Sequence, residues 1–596
     1  MAAAAAPGGV VGQRCLQLLV LVAAAGRAAA VKGGMLYPRE SPSRELKELG
    51  GIWSFRADFS PGRVAGFEQR WYRQPLRQTG PVIDMPVPAS FNDITQDPHL
   101  ENYIGWVWYE KEVLLPQRWL QDDLSTRVVL RFGSAHYYSI VWVNGVQVVE
   151  HEGGHLPFEA DISRIVQRSP GVPCRITVAL NNTLTLHTLP PGSIQYMNDK
   201  TRYPKNYFVQ NTRFDFFNYA GIHRPVVLYT TPSVYIDDIT VTTTSSESVA
   251  MVQYQISVVG SELYSLSLSL RDQEGKVVAT GDGPSGELKV PNPNLWWPYL
   301  MHENPGYRYF LEVTAQANGV PQEDIYTLPV GIRTVHVTST QFLINGKPFY
   351  FHGVNKHEDA DIRGKGLDWA LIVKDFNLLR WLGANSFRTS HYPYAEEIMD
   401  LCDTYGIVVI DECPGYVESA PWILLTLGHL AVPVISSINA QAPYVDVICV
   451  NSYFSWYHDS GHLEVIPLQL TAQFENWYKT YQKPIIQSEY GADSVPGLHS
   501  DPPAMFSEEY QKAMLKEYHS VFDKKRKEYV VGELIWNFAD FMTNQGITRV
   551  LGNKKGIFTR QRQPKSAAFV LRERYWKIAN ESSCLPPIIK SHILFL

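Results

Sequence analysis

The sequence predicts two all-β modules followed by a parallel β/α barrel, and three observations carry that prediction. From about residue 40 to 335, short apolar–polar alternations are broken by Gly, Pro and Asn, the period-2 pattern of half-buried strands. After Gly331 the period switches to strand, helix, strand, helix, which demands parallel strands joined by crossover helices. The stretch Pro484-Ile485-Ile486-Gln487-Ser488-Glu489-Tyr490-Gly491-Ala492 then takes a short apolar step out to a carboxylate. That is where a buried barrel strand presents chemistry, at its C-terminal mouth.

At 596 residues the chain exceeds what one core supports. Its aromatic content, with 15 Trp and 33 Tyr, suits both all-β cores and surfaces that stack on sugar rings. A net charge of −6 without a basic run argues against nucleic acid as a partner. Arg14 precedes a mostly apolar run to Ala25 and a small-residue stretch ending at Ala30, the layout of a secretory signal (residues 1–30) cut near residues 26–31. No later segment approaches a membrane span. That leader gives meaning to two glycan sequons, at Asn181 and Asn580. Cys174, Cys402, Cys413, Cys449 and Cys584 remain after the leader, an odd number and widely spaced, which is neither a disulfide framework nor a zinc pattern.

Residues 31–230 read as a jelly-roll β-sandwich. Strands fall at 106–109 and 127–132, and 139–143 turns through Asn144-Gly145 into 146–149, the strongest short hairpin signal. Trp106, Trp108 and Trp142 are assigned to core packing ahead of sugar contact. Residues 231–335 read as an immunoglobulin-like β-sandwich, with strands at 235–243, 251–259 and 264–270 and a closing strand at 307–314. Asn294-Leu295-Trp296-Trp297-Pro298 is expected to wedge that module against its neighbour.

In residues 336–596 barrel strands are predicted at 349–354, 385–388, 407–412, 445–450, 484–488 and 530–536. Helices are predicted at 369–382, 394–405, 463–481, 508–525 and 566–578. A closed TIM barrel needs eight strands, and these are six. The shortfall lies between Glu412 and Val445, where 422–432 is apolar with almost no charge and no solvent face for a crossover helix. The barrel is therefore incomplete between Gly415 and Ala442. A skipped stretch with an out-of-frame junction is a simpler reading than an unusual barrel.

Glycoside hydrolysis with retention needs an ionised carboxylate as nucleophile and a second carboxyl as proton donor about 5–5.5 Å away. Glu489 suits the first role, against the plainer reading of a strand-end acid capping the next helix. His391 ends the second strand, while His352 and His357 are placed at and beyond the end of the first, with Asp359 and Asp361 in the loop that follows. Asn451 and Tyr453 end the fourth, with Tyr453 in reach of the nucleophile. Trp536 and Asn537 end the last, with Glu533 just inside. These three histidines have no HxH or HxxxH spacing among them to support a metal, and no cofactor is expected. Past the last strand, Arg549, Asn553 and Lys555 offer a fork, an amide and a point charge to a carboxylate, unless this loop is only solvated.

Longer runs make the reading specific. They are Trp142-Val143-Asn144-Gly145, Gly153-Gly154-His155-Leu156-Pro157-Phe158, Phe214-Asp215-Phe216-Phe217-Asn218-Tyr219-Ala220-Gly221 and Asn345-Gly346-Lys347-Pro348. Arg388-Thr389-Ser390-His391-Tyr392-Pro393, Ser488-Glu489-Tyr490-Gly491 and Asn553-Lys554-Lys555-Gly556 complete the set. Together they resemble the family 2 retaining glycoside hydrolases that act on β-D-glucuronosides, over nearly the whole chain after the leader. The resemblance implies a jelly roll, an immunoglobulin-like sandwich and a (β/α)8 barrel, assembled as a homotetramer in the lysosome. It implies exo-hydrolysis of glucuronides at glycosaminoglycan ends and in conjugates, with Glu489 as nucleophile and Tyr453 beside it. Asp215, His391, Asn451, Trp536, Arg549, Asn553 and Lys555 would line the substrate pocket. The Asn553/Lys555 pair, the family's reader of the glucuronate carboxylate, argues against a galactosidase or mannosidase of the same build.

One part of the family pattern is missing. Its acid/base carboxylate lies in an Asn-Glu-Pro run closing the fourth barrel strand, and no such run occurs in this sequence. Glu412 and Glu418 are the carboxylates nearest the gap. Loss of general-acid help costs ~10²–10⁴-fold. The expectation is an enzyme by descent with impaired activity, the alternative a catalytically dead glycan-binding or structural homologue.

Overall fold

The computed structural model describes residues 35–121, 126–168, 172–212, 214–246, 248–319, 322–412 and 442–581. The readings for the leader, for Cys413, Glu418 and 416–441, and for Cys584 lie outside the described residues.

In the first module a six-stranded antiparallel sheet faces a four-stranded one. Strands Trp106–Val113, Cys174–Asn181 and Tyr138–Val143 run through the larger sheet, and Arg127–Phe132 and Val226–Thr231 form the middle of the smaller. Val107, Tyr109, Leu130, Val141, Val178 and Leu228 meet between them. On the outer face of the larger sheet, Trp108 and Trp142 stack at 5.6 Å beside Trp71 and Phe67. These tryptophans pack. Asn144 and Gly145 take φ of 50° and 80°, the left-handed pair that a two-residue hairpin turn requires.

The second module stacks a three-stranded sheet on a four-stranded one. Leu266, Leu268 and Leu270 face inward while the intervening serines face out. Its closing strand is Asp324–Val330 rather than the strand at Tyr309–Ala317, which lies one position further in. Asp324 and Pro329 break the alternation that would have announced it. The wholly buried Asp324 carboxylate takes Arg44 at 2.6 Å and the Ile236 amide at 2.8 Å, so the N-terminal segment is pinned to this sandwich. Trp296 is the expected wedge: it lies against Gly331, and its indole donates to the Asp403 carbonyl of the barrel at 2.9 Å.

The barrel strands are β1 (Phe351–Lys356), β2 (Ser386–Thr389), β3 (Val408–Ile410), β4 (Ile448–Asn451), β5 (Ile485–Tyr490) and β6 (Val530–Ile535). The helices are α1 (Trp369–Leu382), α2 (Glu396–Tyr405), α3 (Ile466–Tyr481), α4 (Glu508–Lys525) and α5 (Ser566–Glu581). All neighbouring strands are parallel, in the order β3-β2-β1-β6-β5-β4. Among the described residues the sheet has six strands, and β3 and β4 are its edges. The sequence count fell short between these same two strands, and residues 413–441, which join them, lie outside the described residues. α1 shows why these ends fall where they do: Asp368 caps it by accepting from the Leu371 amide, and Gly383 closes it at φ 75°.

The first module and the barrel meet across a buried cluster of bases. His136, His155 and His223 are each at most 4% exposed. His223 Nδ1 lies 2.9 Å from His136 Nδ1, and Lys365 Nζ lies 3.3 Å from His155 Nδ1, over the ring of Tyr392. Burial, reinforced by Lys365 and Arg224 and, at His136 and His155, by neighbouring histidines, holds the three imidazoles well below their ordinary range. Burial likewise lowers Lys365, against the pull of Glu358. The unfolded chain takes up protons on these histidines below about pH 6.5 and the folded chain does not. Stability therefore falls as pH falls through that range, by up to about 1.4 kcal/mol per pH unit for each histidine. Urea unfolding followed from about pH 7 to about pH 5 checks this. The midpoint should drop with acidification, and His223→Gln should flatten the slope.

Candidate active site

β5 carries Glu489 inside the strand, one residue before its end, with 7% of its surface exposed. One carboxylate oxygen accepts from Arg388 Nη1 at 2.7 Å and the other from Tyr453 Oη at 2.7 Å. Arg388 rises from β2 and is 1% exposed. Its Nη1 also donates to Asn355 Oδ1 at 2.7 Å, and Asn355, from β1, donates in turn to the Ser488 and Ile535 carbonyls at 2.7 and 3.0 Å. Three strands thus fix one carboxylate. With a donor on each oxygen, Glu489 is oriented as an acceptor-only group, the form a nucleophile needs.

A second carboxylate shares the same guanidinium. Glu412, just past β3, accepts from Arg388 Nη2 at 2.8 Å, and its other oxygen lies 3.5 Å from His391 Nδ1. Burial would raise its proton affinity, but Arg388 and His391 outweigh that and hold it below the usual carboxylate range. Glu412 stands at the mouth as an acceptor. The His391 ring lies 5.2 Å from Trp536, 5.4 Å from His357 and 6.1 Å from Phe216, the last reaching over from the first module. Asn451 accepts the Ser488 hydroxyl at 2.9 Å, which ties β4 to β5 beside the nucleophile.

The third group is the loop after β6. Arg549 grips Asp215 through Nε at 2.9 Å and Nη2 at 2.6 Å, and Asn553 Nδ2 lies 3.4 Å from the same carboxylate. Lys555, wholly buried, pairs with Asp493, and its Nζ and Arg549 Nη2 both donate to Tyr457 Oη, at 3.1 and 2.9 Å. The loop needs Gly556: a Cβ there would stand 2.1 Å from the Asp540 amide. This cluster already holds a carboxylate, Asp215, which is 48% exposed and open to competition from a ligand's own acid group.

Several residues placed at the mouth by sequence lie elsewhere. His352 is the second residue of β1 and packs 5.4 Å from Tyr575 of α5. Glu533, wholly buried, pairs with Arg574 of α5 at 2.6 Å and accepts from Tyr350. Alternate residues of a strand face opposite sides, and these two face the helices. Asp359 and Asp361 hold Arg560 at 2.6 and 3.0 Å, and Asp359 also takes the Tyr219 hydroxyl, anchoring the 214–219 segment instead of contacting the mouth. Asn181 ends its strand with its side-chain oxygen taking the Thr183 amide, whereas Asn580 is exposed on α5. Cys174, Cys402 and Cys449 are buried free thiols. No helix among the described residues is long and apolar enough to cross a membrane.

The sequence reading missed Arg388, Tyr457 and Asp493 as site residues. Arg388 left a signal: an arginine inside an apolar barrel strand must find carboxylates, because an unpaired buried charge is too costly. Tyr457 and Asp493 gave none, since each is defined by its contact with Lys555, 98 and 62 residues further along the chain.

Three family models tile this architecture. The sugar binding domain of glycosyl hydrolases family 2 matches residues 46–232, and glycosyl hydrolases family 2 matches 234–333. The TIM barrel domain of the same family matches 335–422 and 430–580. The chain belongs to family 2 of the glycosyl hydrolases. Its relatives there include the beta-glucuronidase of Felis catus, 64% identical over 95% of this chain and 96% of the relative. That of Homo sapiens is 63% identical over 96% of each. Among solved structures, the β-D-glucuronidase of Dictyoglomus thermophilum superposes with a TM-score of 0.80 at 45% identity, covering 91% of this chain and 99% of its own. The Ruminococcus gnavus enzyme in complex with D-glucaro 1,5-lactone gives 0.79 at 32% identity, covering 91% and 100%. The alignment with the cat relative runs over 624 positions, more than the 596 residues here, so the relative carries residues without a counterpart in this chain. The barrel-domain match itself breaks at 423–429.

Proposed function

We propose that this chain cleaves β-D-glucuronosides by the retaining route, with Glu489 as nucleophile and Arg549, Asn553 and Lys555 reading the sugar's carboxylate. The observation that carries the reading is the pairing of one doubly hydrogen-bonded carboxylate with a cation cluster that already grips another. Arg388 and Tyr453 aim Glu489, while His391, Asn451 and Trp536 frame the ring. Attack would form a glucuronyl ester on Glu489, and water would then release it with net retention. Because the sequence has no Asn-Glu-Pro run, the leaving oxygen departs with little or no proton assistance.

The leader and sequons support a secretory route to the lysosome, and the family resemblance supports a homotetramer acting on glycosaminoglycan ends and glucuronide conjugates. A second reading, a glycan binder without turnover, is favoured by the missing acid/base run alone. Expression and assay with a chromogenic glucuronide separate the two. Turnover should fall ~10²–10⁴-fold below that of an intact relative, the worth of general acid help. Turnover equal to the relative's would contradict the reading of the gap.

The reader loop has its own test. Lys555→Met combined with Asp493→Asn removes both buried charges together and so avoids stranding either one. Affinity for D-glucaro 1,5-lactone, measured by calorimetry, should fall ~10–100-fold, the worth of a charged hydrogen bond. Affinity for a glucoside of the same shape should stay unchanged.

A further inference from the structure

Resting on the assignment of Glu489 above, we propose that this chain is a glucuronyl transferase toward small anionic acceptors, working on glucuronosides whose leaving group departs without a proton. The two halves of a retaining reaction ask opposite things of the second carboxyl. In the first it gives a proton to the leaving oxygen, and in the second it takes one from the incoming water.

The described carboxylates around the mouth are each committed to a cation. Glu412 is bound to Arg388 and held low, Asp215 is gripped by Arg549, and Asp493 by Lys555. Asp540 is pushed up to about 6, chiefly by burial. It is 2% exposed and sits behind the reader loop, bound to Lys565 at 2.8 Å and to the Gly556 amide at 3.0 Å. The nucleophilic half is complete by contrast: Glu489 has both its donors, and the reader loop is formed.

The steps balance without an acid. A Glu489 carboxylate oxygen bonds to the anomeric carbon, the bond from that carbon to the aglycone oxygen breaks, and the aglycone leaves as its own anion. Only strongly acidic phenols or comparable groups leave at a useful rate this way. Water then attacks slowly, because each described carboxylate at the mouth is already bound to a cation and does not take its proton. An azide or thiolate ion brings a lone pair and no proton. It bonds to the anomeric carbon from the face the aglycone left, the ester bond to Glu489 breaks, and the carboxylate is regenerated. The product is a β-glucuronyl azide or thioglycoside. Arg388 balances the charge of Glu412, so the mouth does not repel such an anion by a bare carboxylate.

The test uses the full chain, its cooperative unfolding transition first confirmed, with 2,4-dinitrophenyl β-D-glucuronide in the presence and absence of azide. Phenolate release, intact protein mass and product configuration are read together. The expected result is a burst of phenolate, a mass gain of one glucuronyl group and slow release. Azide should raise the steady rate on the order of 10²-fold, replacing general base help, and yield the β-azide. Glu489→Gln should show no burst and no mass gain. A burst that azide does not accelerate, or an α-configured azide, overturns the transfer proposal and leaves Glu489 standing as nucleophile. Absence of both burst and adduct overturns the nucleophile assignment and the transfer with it. Brisk hydrolysis of an alkyl glucuronide without azide overturns the proposal by revealing a proton donor in place.

Discussion

Replacing Glu489 by Gln should lower phenolate release from an activated glucuronide by ~10⁴-fold or more, down to the uncatalysed background. The substitution keeps shape and volume, so the neighbours stay packed. Arg388 loses one of its two carboxylates but keeps Glu412 at 2.8 Å and Asn355 at 2.7 Å, and no charge is left unpaired. Tyr453 can give its hydrogen bond to the amide oxygen. The urea midpoint should therefore hold while the chemistry vanishes. An equal loss of stability and activity would show that Glu489 is a structural acid.

Arg388→Met should produce the largest loss of stability of any single change at the site. It strips the cation from Glu489 and Glu412 together, and each broken buried pair of this kind costs about 3–5 kcal/mol. Arg388→Lys should recover only part of this, because one ammonium cannot offer the two-pronged fork that spans both acids. Adding Glu412→Gln to Arg388→Met should restore stability by removing one stranded charge, without restoring reaction, since Glu489 has lost its guide. Equilibrium unfolding in urea, paired with the burst assay, reads both effects. A double variant as unstable as the single one would mean that Glu412 draws little from Arg388.

Much of the fold was legible because it rests on periodicity. The switch from period 2 to alternating strand and helix located the barrel, the Asn144-Gly145 pair located a hairpin, and counting strands found the six that the described residues form. The position of Glu489 was legible because it stands near the end of an apolar strand, and that of the 549–555 loop because it comes after the last one. What stayed hidden depends on which face of a strand looks inward. Pattern alone did not separate His352 and Glu533, which face α5, from Arg388 and Glu489, which face the centre. The buried base cluster was hidden for another reason: His136, His155 and His223 come from separate segments, and Lys365 meets them only once the barrel has docked. Asp324–Val330 was lost because a buried aspartate reads as a turn until Arg44 is beside it.

The central claim is that one carboxylate, at position 489, bonds to the anomeric carbon of a β-glucuronoside. The most direct measurement is to treat the full chain with 2-deoxy-2-fluoro-β-D-glucuronyl fluoride, whose good leaving group needs no proton and whose fluorine slows release of the ester. Proteolysis and mass spectrometry then locate the label. The account predicts a single 2-fluoroglucuronyl group on the peptide containing Glu489. A label on Glu412 or on any other carboxylate would contradict it.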